Sequence, residues 1–175
     1  PPHLKTIFAL YGWTEGYRDL FYHGGIFSHG FFSSWIRNRG SGMRVDKDLK
    51  AIMGEEEYDA ALAKLRGDRE LISVPFLAAA INDPETGLHP LLLEVLMHEL
   101  DDEWHRERAV DFSTDDPVPA YFGADWGMFG FHMPGDMRAF QNWRGTRRMI
   151  MGPPIYLDRP VYQYAYESLR WFDHW

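Results

Sequence analysis

Asp125 and His132 are the residues of this chain best placed by type and spacing to do chemistry. They lie seven apart in VPAYFGADWGMFGFHMPG, Val118 to Gly135. The segment opens as an apolar strand, passes a turn rich in glycine and aromatics, and closes at Pro134-Gly135 before the helix-like DMRAFQNW. Loops that leave the carboxyl ends of parallel strands carry the functional groups of α/β sheets. An acid and an imidazole on one such loop are the pair that general acid–base catalysis uses. The competing reading is structural: Asp125 caps a turn and His132 packs among aromatics. For the two to meet, the loop must fold back, which Gly127 and Gly130 would permit.

A second constellation is HELDDEWH, where His98, Asp102 and His105 fall at i, i+4 and i+7 of a helix and so share one face. Three such ligands could hold zinc or iron. Carboxylate metal sites, however, draw ligands from several helices, and a solvated charged face is the plainer reading. Serine nucleophiles sit in a G-x-S-x-G elbow between strand and helix. Ser28 in GGIFSHG and Ser41 in RGSGM both depart from that pattern.

These groups need a scaffold. Apolar runs predict strands at 4–10, 118–123 and 147–151, and periodicity predicts helices over 27–37, 46–53, 55–65, 90–108, 135–143 and 160–175. Residues 75–81 are apolar and read as a short helix or strand. The Gly24-Gly25 pair suits a tight turn into a helix, and Gly40-Ser41-Gly42 a helix stop. His174 reads as buried within the closing helix pattern. The order is strand, a helical insertion of about a hundred residues, then strand, helix, strand, helix. That is a βαβ pattern of parallel strands.

Composition narrows the function. The 175 residues are 45% hydrophobic with seven Trp, ample for a core. A net charge of −8 argues against a nucleic-acid surface, which needs clustered Lys and Arg. Arg144, Arg147 and Arg148 form the one tight basic group. Without cysteine there is no disulfide framework and no Cys nucleophile, in keeping with a cytoplasmic protein. No apolar run reaches the roughly 18 residues a membrane span requires, so no membrane role is expected. The ends, Pro1-Pro2 leading straight into a strand and Trp175 inside a helix, read as those of a piece of a larger protein.

Five segments in order resemble the cocaine esterase and X-Pro dipeptidyl peptidase family of α/β-hydrolases. PPHLKTIFAL with Tyr17-Arg18-Asp19, Tyr22 and Gly24-Gly25 is similar to its PP-x-L-K-A-I … YRD-x-x-Y-x-GG stretch. DDEWHRER, VPAYFGADW, MGPPIYLDRP and LRWFDHW are similar to its later motifs. The resemblance implies an α/β fold: the C-terminal half of an α/β-hydrolase parallel sheet, 1–12 and 111–175, with an inserted helical cap, 13–110. It implies a serine hydrolase acting on ester or amide bonds, without cofactor or metal, whose nucleophile lies outside this chain. The family's acid falls on Met128 and its His on Tyr156, so neither carries over. Asp125 and His132 then take the catalytic roles, or the triad is lost and the chain is a diverged binding or scaffolding protein. Trp126, Phe129, Phe31, Phe32 and Trp35 would contact a small-molecule substrate. An unpaired sheet edge would be met by the rest of the polypeptide, a second chain or a homo-oligomer copy.

Overall fold

The computed structural model describes residues 3–36, 49–83, 89–115, 117–128, 130–152 and 160–175, the last helix with side chains from Tyr164 onward. The elements in chain order are β1 (Ile7–Leu10), β2 (Tyr22–His23), β3 (Ile26–Phe27), α1 (Leu49–Met53), α2 (Glu55–Gly67), α3 (Arg69–Ser73) and α4 (Pro75–Asn82). There follow α5 (Pro90–Met97), α6 (Glu103–Arg106), β4 (Ala120–Asp125), α7 (Met133–Asn142), β5 (Arg147–Gly152) and α8 (Pro160–His174). The architecture is mixed α/β. Two units divide the chain: Pro1–His23 with Glu103–Trp175, and Gly24–Asp102.

The first unit holds a parallel sheet of order β1-β4-β5. Ile7 pairs with Ala120 and Ala120 with Arg147, so β4 is central and fully buried. Alternation sends Ala120 and Phe122 to one face, where Ala139 of α7, Ile7, Ala9, Phe140 and Trp143 complete a cluster. Tyr121 goes to the other face, its ring 4.7 Å from Phe8 and 5.3 Å from Trp171 of α8. Helices thus cover both faces, as a parallel sheet requires. Each such buried aromatic or branched side chain contributes roughly 1.5–3 kcal/mol. At Gly123 the strands leave no room: a Cβ would stand 2.5 Å from the Ile150 carbonyl oxygen and 2.9 Å from Leu10.

The three strands lie within two or three residues of those read from the sequence. Asp125 differs in kind, being the last residue of β4 rather than part of the loop beyond it. The helix expected from Phe27 is displaced. Tyr22–His23 and Ile26–Phe27 pair as a short ladder, turning at Gly24-Gly25, and helical backbone begins at His29. The glycines therefore serve a hairpin rather than a helix start. Residues 75–81 are helical.

The second unit is built of short helices. Leu62 and Leu65 of α2, Leu77 and Ile81 of α4, and Leu92 and Leu93 of α5 supply its buried side chains. Asp68 caps α3 by accepting the amides of Glu70 and Leu71, and His89 caps α5 by accepting that of Leu91. The helix expected over 90–108 is broken. α5 ends at Met97, His98 and Asp102 close the turn at 2.6 Å, and α6 starts afresh at Glu103. Glu99, Asp101 and Asp102 account for the break, since acids disfavour the negative end of a helix dipole. The proposed stop at 40–42 lies outside the described residues.

Candidate functional site

β1 and β4 end side by side, and the residues that follow them form the site. Tyr11, directly after β1, takes φ +57°, a left-handed conformation that costs a bulky residue about 1–2 kcal/mol. Its hydroxyl donates to Asp125 Oδ2 at 3.2 Å, and its ring meets His132 edge-on at 5.8 Å. The Asp125 side chain is wholly buried; Oδ1 accepts the Gly127 amide at 2.7 Å, the turn closure of the structural reading. Tyr164 of α8 donates to the Ala124 carbonyl and stacks edge-on against Tyr11 at 6.0 Å. Burial, then Tyr164 and Asp125, push the Tyr11 hydroxyl far above its ordinary pKa.

His132 stands at the N-cap of α7, 9% exposed. Its Nδ1 is 3.3 Å from the Gly12 carbonyl oxygen. A carbonyl only accepts, so the proton is on Nδ1 and the lone pair on Nε2. Burial lowers the imidazole's pKa; the Gly12 carbonyl and the Asp125 carboxylate act the other way. The ring is therefore neutral at pH 7, the state a general base needs. Phe131, at 3.8 Å, and Trp13 beyond it wall the imidazole.

The fold thus brings Asp125 and His132 to one end of the sheet, joined through Tyr11. The loop between them doubles back through the short turn Trp126–Met128, whose Met128 carbonyl accepts the amides of Phe131 and His132. Gly127 lies within that turn. Trp126 is half exposed beside the site. Phe31, Phe32 and Trp35 belong to the second unit, with Phe32 fully buried and both phenyl rings 6.5 Å from Trp35. Phe129, Tyr156 and Ser41 lie outside the described residues.

A cluster absent from the sequence reading adjoins this pair. Asp19, wholly buried in the helical turn Tyr17–Phe21, accepts Thr14 N at 2.8 Å, Thr14 Oγ1 at 3.0 Å and Glu15 N at 3.1 Å through Oδ2. Its Oδ1 pairs with Arg138 of α7, which also reaches Glu15 at 3.4 Å. Gly135 lets α7 approach this loop, since a Cβ there would lie 2.6 Å from Trp13 Cα. Asp136, in the first turn of α7, is 2% exposed, and its Oδ2 has no hydrogen-bond partner. Burial raises its pKa to about 8, aided by Asp19 and opposed by the backbone at Gly123 and Gly12. The signal available in sequence was weak, because an acid in the first turn of a helix ordinarily marks a solvent-exposed dipole contact.

The plainer reading of a solvated charged face fails at His105. His98 and Asp102 meet across a turn, while His105 is buried among the rings of Tyr17, Trp104, Phe21 and Tyr22. Among the described residues no group of three or more His, Asp or Glu side chains is placed to hold a metal ion. His174, expected to be buried, is exposed near the end of α8. No helix among the described residues is long and apolar enough to cross a membrane. Comparison with protein-family models, curated proteins and solved structures finds no match to this chain.

Proposed function

We propose that the chain supplies the acid–base part of a serine hydrolase centre that cleaves ester or amide bonds in a small-molecule substrate. The convergence of Asp125, Tyr11 and a neutral His132 at the carboxyl ends of β1 and β4 carries this reading. In it, His132 Nε2 takes the proton of a serine supplied from outside these residues, and Gly12 and Tyr11 hold the ring and Asp125 in place. The sheet portion belongs to an α/β-hydrolase arrangement of the cocaine esterase and X-Pro dipeptidyl peptidase type. Residues Gly24–Asp102 are the counterpart of its cap, and Trp126, beside Asp125, is the substrate contact of the sheet portion. A cytoplasmic setting accompanies this reading, on the lack of cysteine.

The test is turnover of a panel of p-nitrophenyl esters and amides by the polypeptide carrying this chain, with His132→Ala and Asp125→Asn. Loss of a general base should lower kcat about 10²–10⁴-fold. Undiminished turnover by His132→Ala would sink the assignment. A second reading, a diverged binding or scaffolding protein, is favoured by one observation. Both Asp125 oxygens are engaged by Tyr11 and Gly127, and His132 Nδ1 is held by a carbonyl rather than a carboxylate. Under that reading no substrate of the panel turns over, and both substitutions alter stability alone.

A further inference from the structure

The fold parts the tight basic group of the sequence. Arg144 turns to the Ser113 carbonyl and the Asp115 carboxylate. Arg147 lies over the Phe140 ring on the α7 side and donates to the Trp143 carbonyl. Arg148 goes to the opposite face, where its register partner is Tyr121, beneath α8. No hydrogen bond or ion pair joins its guanidinium to another described residue, although its charge bears on the Tyr121 hydroxyl, as does that of Arg170.

Arg148 borders a pocket of about 390 Å³ whose apolar walls are Tyr121, Trp171 and Trp175. That volume lies within the range of small-molecule sites, about 300–1,000 Å³. Three other charged groups of the pocket, Arg147, Glu167 and Arg170, already have partners. Glu167 accepts from Tyr121 at 3.2 Å and pairs with Arg170 at 3.3 Å. Arg170 also lies over the Tyr166 ring. With Arg148 these leave two positive charges, and Arg148 is the guanidinium among them with no hydrogen bond or ion pair to another described residue. The pocket sits at the amino ends of β4 and β5, away from Asp125 at the carboxyl end of β4.

We propose that this pocket binds a small aromatic carboxylate, its carboxylate on Arg148 and its ring against the indoles. A guanidinium fork matches a carboxylate in two parallel hydrogen bonds. Tryptophan faces and edges receive a flat apolar body. A monoanion fits the one guanidinium of the lining that has no such partner, Arg148. The carbonyl end of α8, in whose last turn His174 stands, would also oppose a second negative charge.

The experiment is calorimetric titration of the chain with benzoate, benzamide, acetate and phenyl phosphate, repeated with Arg148→Gln and Arg148→Lys. Benzoate should bind saturably, with benzamide and acetate at least about tenfold weaker. Arg148→Gln should weaken benzoate about tenfold, and Arg148→Lys should fall between. Arg148 is exposed, so both variants should keep the wild-type circular dichroism spectrum. Absence of saturable benzoate binding, equal binding of benzamide, or an Arg148→Gln affinity equal to wild type would each overturn the proposal. Phenyl phosphate binding more tightly than benzoate would overturn the preference for a monoanion.

Discussion

Replacing Asp136 by Asn should flatten the pH dependence of stability. The carboxyl is 2% exposed and has an oxygen without a hydrogen-bond partner, and its pKa rises from 3.8 to about 8 on folding. Below about pH 4 both folded and unfolded chains carry the proton, and the group imposes no penalty. Between about 4 and 8 the folded chain keeps a proton that the unfolded chain releases. Stability then falls by roughly 1.4 kcal/mol for each pH unit. At pH 7 the accumulated cost is about 4 kcal/mol, a large share of the 5–15 kcal/mol typical of a folded domain. Above about 8 the loss levels off. Asparagine cannot ionise, so this slope should vanish. The amide will carry its own cost, about 1–3 kcal/mol for an unmet donor, but that cost does not change with pH. Urea unfolding of both proteins at pH 5, 7 and 9 separates the two effects. The variant should gain on the wild type by several kcal/mol between pH 5 and pH 9. A difference that stays constant over that span would refute the reasoning, and with it the placement of Asp136 as a buried, proton-holding acid.

Gly123→Ala should cost several kcal/mol, seen as a fall in the urea midpoint, because its Cβ would press on the Ile150 carbonyl within the β4–β5 ladder. Arg138→Ala leaves Asp19 buried without its ionic partner and should destabilise by about 3–5 kcal/mol; an unchanged thermal midpoint would contradict the pairing. Tyr11→Phe removes the hydroxyl on Asp125 while keeping the ring against His132. It should shift the His132 imidazole proton resonances without unfolding the chain, and a spectrum unchanged at His132 would mean that Tyr11 does not link the two.

What could be read in the sequence was whatever depends on neighbours along the chain. IFAL, AYFGAD and RRMIMG are short apolar or β-prone runs, and the fold uses them as parallel strands with small shifts of boundary. The break after Met97 was missed because apolar spacing continues through Leu100, whereas the run of acids that ends the helix has no periodicity to detect. The pairing of Asp125 with His132 was anticipated as a meeting within one loop. Its intermediary, Tyr11, comes from 114 residues away, and no spacing rule reaches that far. A similar distance, 119 residues, hid the Asp19–Arg138 pair. Arg138 reads as an ordinary exposed helix residue until α7 is laid against the loop after β1. His105 shows the converse, since its helical spacing suggested a ligand while its ring lies buried among four aromatics.

The place of β1 in the sheet has a kinetic consequence. β4 and β5 are joined by one helix, whereas Thr6 and Pro119, at the start of the β1–β4 ladder, are 113 residues apart. Ala120 and Arg147, at the start of the other ladder, stand at about a quarter of that separation. Closing the longer loop costs about 1.2 kcal/mol more, two doublings of loop length. The β4–α7–β5 unit should therefore assemble first, with β1 joining late, after the inserted residues have collapsed on themselves. Until then the central strand presents a bare edge of buried apolar residues. In that interval the nascent protein is most exposed to pairing with a neighbour instead of with itself.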